Sequence, residues 1–178
     1  EASVQIASDS YSIGELATRR LIDDGCSRIL CLRSNSRMRM PANKRTDAYL
    51  DVVEQAGLSA LVREVEFVKP DDEKGAVVAK ILDENPDIDG IFAGDDTMAA
   101  ICLNVMKQRG LSAPDDIKVV GADGARRTMT FMPDLTTVRQ DIDRIGELAA
   151  QSIIALINGD NPESNIKLPV ELIEGKTA

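Results

Sequence analysis

Short, wholly apolar runs alternate along this chain with amphipathic stretches, and that alternation restricts the fold more than any other feature. Residues 12–24 set Ile13, Leu16, Ala17 and Leu21 on one helical face and stop at Gly25, where a glycine closing a helix belongs. RILCL, residues 28–32, follows without polar alternation, the pattern of a strand covered on both faces. The rhythm then repeats as helix 44–56 ending at Gly57, strand 61–68, helix 73–84 ending ahead of Pro86, strand 89–94, helix 96–109 ending at Gly110, and strand 118–122. Strands separated by helices of this length imply right-handed βαβ crossovers and a parallel sheet with helices on both faces. The predicted fold class is α/β, a three-layer sandwich with a mainly parallel sheet. After residue 123 the rhythm breaks. GARRTMTFMPD reads as a long connection with no helix, leading to strand 135–140, then helix 141–157 with Ile142, Ile145, Ala149, Ile153, Leu156 and Ile157 on one stripe, and a last strand over 167–173.

Composition removes whole classes of function. A length of 178 residues suggests one domain, large enough for a core without disulfide staples. Lys plus Arg at 21 against Asp plus Glu at 30 leaves a net charge of −9, which repels a phosphate backbone, so this chain alone is not expected to hold DNA or RNA. With no histidine, His-based nucleophile activation and His-ligated metals are excluded. Cys26, Cys31 and Cys102 are odd in number and show no CxxC spacing, so reduced thiols in a cytoplasm are expected. No apolar run is long enough to cross a membrane, and EASVQIASDS lacks the basic start and apolar run of a signal peptide. The expectation is a soluble, cytoplasmic piece of a longer protein.

In an open α/β sheet the ligand crevice lies beyond the carboxyl ends of the strands. There stand Arg33 and Ser34 after RILCL, Asp95 and Asp96 after DGIFAG, and Asp123 after KVVGA, with Arg37, Arg39, Lys44 and Arg45 in a cationic segment over the same edge. Such a rim suits a small hydroxyl-rich molecule, because a carboxylate accepts two hydrogen bonds and Arg offers a fork of donors. Either Asp95 or Asp96 also reads as the N-cap of the helix that follows. With Asp96 as the cap, Asp95 is the better ligand candidate. For Asp123 the plainer reading is an Asx-turn with Gly124, and for Arg45 a solvated first-turn residue.

Other motifs fail. GKT at 175–177 lacks the upstream glycine of a phosphate loop, since Val170 stands there, and Gly121 with Gly124 makes no dinucleotide fingerprint, so no cofactor is expected. Met38, Met40, Met129, Phe131 and Met132 fall in predicted loops, where a contact surface and partly covered loops are both open readings.

Taken together, several segments resemble the effector-binding core of LacI/GalR-type transcription regulators, specifically its carboxyl-terminal half, one lobe of a type I periplasmic-binding-protein-like fold. SIGELATRRLIDDGCSRILCL, KRTDAYLDVVEQAG, DGIFAGDDTMAA, APDDIKVVGADGA, PDLTTVRQD and GELAAQSIIALINGD, with LPVELI, follow that family's pattern in order and spacing. The resemblance implies that Arg45 grips the effector, that Asp123 takes its hydroxyls, and that Asp95 stands where relatives often carry Asn. Asp95 therefore offers an acceptor where an amide donor is common. Ala122, and the segment near Lys69 and Pro70, lack the aromatics that often stack on a sugar. The resemblance further implies that 141–157 packs in a lobe absent from residues 1–178, and that DNA is met only through a headpiece absent from this chain.

The expected function is small-molecule effector binding, with a sugar as ligand and no catalysis, metal or membrane. A homodimer is expected through helix 96–109 and the loop near Phe131. Candidate ligand-binding residues are Arg39, Arg45, Asp95 and Asp123. Two rivals remain: a phosphoryl-transfer enzyme holding Mg²⁺ on Asp95, Asp96 and Asp123, and an exported sugar-binding protein of the same architecture.

Overall fold

The computed structural model describes residues 3–35 and 42–178. In chain order the first half consists of β1 (Gln5–Ser8), α1 (Ser10–Asp23), β2 (Ile29–Asn35), α2 (Ala42–Gln55), β3 (Leu61–Glu66), α3 (Asp71–Glu84) and β4 (Gly90–Ala93). The second half consists of α4 (Asp96–Gln108), β5 (Lys118–Asp123), α5 (Arg126–Phe131), β6 (Thr136–Gln140), α6 (Ile142–Ile157), β7 (Asn165–Leu168) and β8 (Val170–Ile173).

Six strands form one sheet in the order β3-β2-β4-β5-β6-β8, and every neighbouring pair is parallel except β6 with β8. The expected α/β sandwich is what the chain forms. From β2 the chain steps outward to β3, then returns past β2 to β4, so the winding reverses between β2 and β4. In an open α/β sheet such a reversal is where a ligand crevice lies, beyond the carboxyl ends of the strands.

Both sheet faces are covered. In β2, Ile29 and Cys31 point to a core shared with Ile13, Ala17 and Leu21 of α1 and Tyr49 and Val53 of α2. Leu30 and Leu32 point the other way, to a core with Val78 and Ile81 of α3 and Met98, Cys102 and Met106 of α4. This period-two division explains why Ile29–Leu32 carries no polar residue: both of its faces are interior. The helices stop where the glycines stand, with φ of 87° at Gly25, 69° at Gly57 and 73° at Gly110. The three cysteines are free and buried, and burial pushes Cys31 and Cys102 up to about 12, so neither is a thiolate at neutral pH.

Three expectations need correction. The connection after residue 123 contains a short helix, α5, which buries none of its residues and therefore carries no apolar stripe to read. The last strand, expected over 167–173, is two strands split at Pro169, where the missing N–H interrupts the ladder. β8 joins β6 antiparallel, whereas β7 leaves the main sheet and pairs in parallel with β1, a strand not foreseen at all. Around this small β1–β7 sheet, α6 exposes much of its apolar stripe: Ile142 is 53%, Ile153 58%, Ile154 59% and Ile157 77% exposed.

Candidate functional site: a charged rim at the strand reversal

Arg45 lies in the first turn of α2, and its position is set from beneath by α1. The two helices touch backbone to backbone at Gly14, where a Cβ would lie 2.0 Å from the Arg45 carbonyl oxygen. From there the guanidinium reaches across the carboxyl edge of the sheet. Nη2 donates to Asp123 Oδ1 at 2.9 Å, and Nη1 donates to the carbonyl of Gly94, the residue after β4. Nε is buried and has no partner among the described residues. Arg45 is thus not the solvated first-turn residue of the plainer reading.

Asp123 is the last residue of β5. Among the described residues it is the one non-glycine in the left-handed region, with φ 108°. Its Oδ1 also accepts from Gln140 Nε2 at 2.7 Å, so two donors converge on one oxygen while Oδ2 has no partner among the described residues. Burial pushes this carboxyl up from its usual range, the neighbouring Asp95 adds to the rise, and Arg45 and Gln140 pull it back. No Asx-turn with Gly124 forms: among the described residues Asp123 accepts only from the Arg45 and Gln140 side chains, and the Gly124 amide goes to Asp96.

Asp95 and Asp96 divide their roles differently from the expected arrangement. Asp95, not Asp96, is the N-cap of α4: its Oδ1 accepts from Met98 N at 2.8 Å, and its Oδ2 accepts from Ser34 Oγ at 3.3 Å. Asp96 turns inward, 3% exposed, with Oδ1 accepting from Thr137 Oγ1 at 2.6 Å and Oδ2 from Gly124 N at 2.8 Å. Burial, with Asp123 and Asp95 as nearby like charges, pushes it up to about 6. With both oxygens engaged inside the fold, Asp96 is not offered to a cation at the rim, and the three-aspartate Mg²⁺ arrangement of the enzyme rival lacks its central ligand.

Arg45, Asp95 and Asp123 therefore meet on one edge, joined through Gly94 and Ser34. Arg39, with Arg37, Met38 and Met40, lies outside the described residues. Lys44 is exposed, and Arg33 is spent on an ion pair with Glu64 of β3. Gln140 is the rim residue that sequence reasoning missed. It is the last residue of β6, and the rule that directed attention to the ends of the other strands applies equally to LTTVRQ.

Chemically the rim holds one fixed guanidinium, a carboxylate with one oxygen unpartnered among the described residues, and a second carboxylate tied to a hydroxyl. The model of the periplasmic binding protein-like domain matches residues 18–178. The chain belongs to this family. It is 33% identical to the sucrose operon repressor of Lactococcus lactis subsp. lactis, over 96% of this chain and 52% of that protein. Among solved structures, the transcriptional regulator CelR in complex with cellobiose superposes with a TM-score of 0.87 at 28% identity, covering 100% of this chain and 55% of the other. A periplasmic binding protein/LacI transcriptional regulator from Alkaliphilus metalliredigens QYMF, complexed with D-xylulofuranose, gives 0.85 at 25% identity, over 98% of this chain and 65% of the other. The chain spans about half the length of the curated repressors it matches. The resemblance to LacI/GalR-type regulators holds in both sequence and fold, and among the described residues no helix is long and apolar enough to cross a membrane.

Proposed function

We propose that this chain is the effector-binding lobe of a cytoplasmic, sugar-responsive transcription regulator, a sensor without catalysis. The observation that carries the reading is the convergence of Arg45 and Gln140 on a single oxygen of Asp123. Among the described residues that leaves Oδ2 as an acceptor for a hydroxyl, in a site whose cation is already fixed. Asp95 supplies a second carboxylate close by, and Arg39, in the cationic stretch of sequence ahead of Arg45, is the further candidate. A vicinal diol, with each hydroxyl both donor and acceptor, satisfies such a rim, and each charge-assisted bond contributes about 1.5–3 kcal/mol. The repressor names of the relatives and the sugars in the related complexes support this class of ligand.

The uncovered stripe of α6, beside the β1–β7 sheet, is the surface on which the rest of the effector core packs, with the sugar held between the two halves. The whole regulator meets DNA through a separate headpiece, since a net charge of −9 gives this part no affinity of its own for phosphates. It acts as a homodimer, with α4 and the exposed Phe131 at the contact, and sugar-dependent closure biases the DNA-bound state.

Calorimetry and operator binding test the reading together. If a complete cleft reaches micromolar affinity, about −8 kcal/mol, one wall of it is expected to hold sugar only at millimolar or weaker. Micromolar binding of sucrose, D-ribose or cellobiose to this chain alone contradicts the half-site argument. In the product of the whole gene, a sugar from such a panel should change operator affinity, and Arg45→Ala should abolish that response while leaving sugar-free DNA binding intact. A full sugar response from Arg45→Ala refutes the site.

A further inference from the structure

We propose that Asp96 is the positioning residue of the rim, holding Asp123 in the one backbone conformation that aims its carboxylate at Arg45 and Gln140. The proposal rests on the sensor reading for its consequence in sugar binding, but not for its geometry. An L residue at φ 108° persists only where its surroundings over-determine it, and three of them do so here.

The residue that follows is Gly124, at φ 57°, pressed so closely on β6 that a Cβ would lie 2.6 Å from Arg139 Cβ. Asp123 itself is in register opposite Arg139 at the end of the β5–β6 pairing. From the α4 side, Asp96 Oδ2 takes the Gly124 amide at 2.8 Å, and with Asp96 only 3% exposed no water competes for that bond. The carboxylate is in turn oriented by Thr137 Oγ1 at 2.6 Å and fits only because residue 121 is glycine, where a Cβ would stand 2.5 Å from Oδ1. Asp96 thus ties α4, the turn after β5, and β6 together directly beneath Asp123.

An ionised carboxylate buried beside Asp95 and Asp123 is costly to maintain, and an apolar residue would fill the space under less electrostatic strain. What an apolar residue cannot do is accept the Gly124 amide. Without that acceptor the turn relaxes toward extended φ, and Asp123 Oδ1 leaves Arg45 Nη2.

The test is nitrogen-15 NMR on this chain with Asp96→Ala and Asp96→Asn. In the native chain the Gly124 amide proton should resonate far downfield, and the Arg45 guanidinium protons should exchange slowly. Asp96→Ala should lose both signatures, whereas Asp96→Asn, whose amide oxygen still accepts from Gly124, should retain them. A purely structural Asp96 predicts a lower melting temperature with the Arg45 signals unchanged, and that result overturns the proposal. Should Asp96→Ala fail to fold, Thr137→Val removes the orienting hydroxyl instead. It should broaden the Arg45 signals, and unbroadened signals likewise overturn the proposal. In the whole regulator, Asp96→Ala should weaken binding of the responsive sugar among sucrose, D-ribose and cellobiose about tenfold or more, and undiminished binding counts against it. If the NMR signatures change as described but none of these sugars binds, the sensor reading fails and the positioning role stands.

Discussion

Replacing Gly14 with alanine should loosen the whole rim from a position that touches none of its polar groups. The added Cβ would meet the Arg45 carbonyl oxygen at 2.0 Å, its carbonyl carbon at 2.8 Å and its Cα at 2.9 Å. All three are backbone atoms in the first turn of α2, so no side-chain rotation relieves the overlap. A carbon meets a carbonyl oxygen comfortably at about 3.3 Å. The helices must therefore separate locally by about 1 Å, pulling α2 away from a core in which Ile13, Ala17 and Tyr49 are fully buried. Overpacking of this kind costs about 1–3 kcal/mol, and a backbone-on-backbone contact belongs at the upper end. For a chain of this length each kcal/mol lowers the melting temperature by about 2–4 °C, so a fall of about 6–12 °C is expected by differential scanning calorimetry. Gly146→Ala is the control, because that glycine lies exposed within α6 with no heavy atom near its would-be Cβ, and alanine there should raise stability by up to about 1 kcal/mol. If Gly14→Ala melts no lower than the native chain, α1 does not set the position of Arg45, and the account of how the site is built is wrong.

Three further outcomes follow from the same packing. Asp96 is pushed up to about 6 from 3.8, so between those values the folded chain holds a proton that the unfolded chain releases. Its contribution to stability is therefore fully present below about pH 4 and lost as pH rises through about 6, a swing of about 3 kcal/mol; urea titrations of the native chain and Asp96→Asn should differ in slope across that window and run parallel above pH 7. Tyr49→Phe should cost about 1–3 kcal/mol in the same assay, because the buried hydroxyl donates to Ile29 O at 2.7 Å and accepts from Leu61 N at 2.8 Å; an unchanged denaturation midpoint refutes this. On α6, Ile153→Glu with Ile157→Glu should leave the stability of this chain within about 1 kcal/mol of native in urea titrations, and a large loss of stability would mean that the stripe is already covered.

How much of this was legible from residues alone depended on the range over which each decision is made. The carboxyl ends of α1, α2 and α4 are local: an apolar period and a glycine able to take positive φ settle them, and Gly25, Gly57 and Gly110 all do so, whereas α1 and α2 each begin two residues ahead of the expected 12 and 44. β1 is different. Its four residues, QIAS, carry no run long enough to read, and they become a strand only because Gln5 meets Asn165 from the far end of the chain. The short helix α5 buries nothing, so no apolar pattern marks it. Pro169 was visible as a residue without a donor, but a strand break and an edge position look the same until β7 and β8 are seen in different sheets.

The rim divides along the same line. That Arg45 and Asp123 would meet followed from strand ends facing one crevice, and they stand 2.9 Å apart. Which of Asp95 and Asp96 faces outward did not follow, because both residues precede the helix and either side chain can cap it. The decision belongs to partners remote in sequence. Thr137 and the Gly124 amide draw Asp96 inward, Gly121 leaves the space for it, and Asp95 then takes both the cap and the bond from Ser34. Positions that carry charge to the rim are thus readable from where strands end, whereas the orientation of each charge depends on buried neighbours contributed by other strands. For this reason a change at Gly14 or Asp96, neither of which presents a polar group to the crevice, is expected to act on ligand recognition as surely as a change at Arg45.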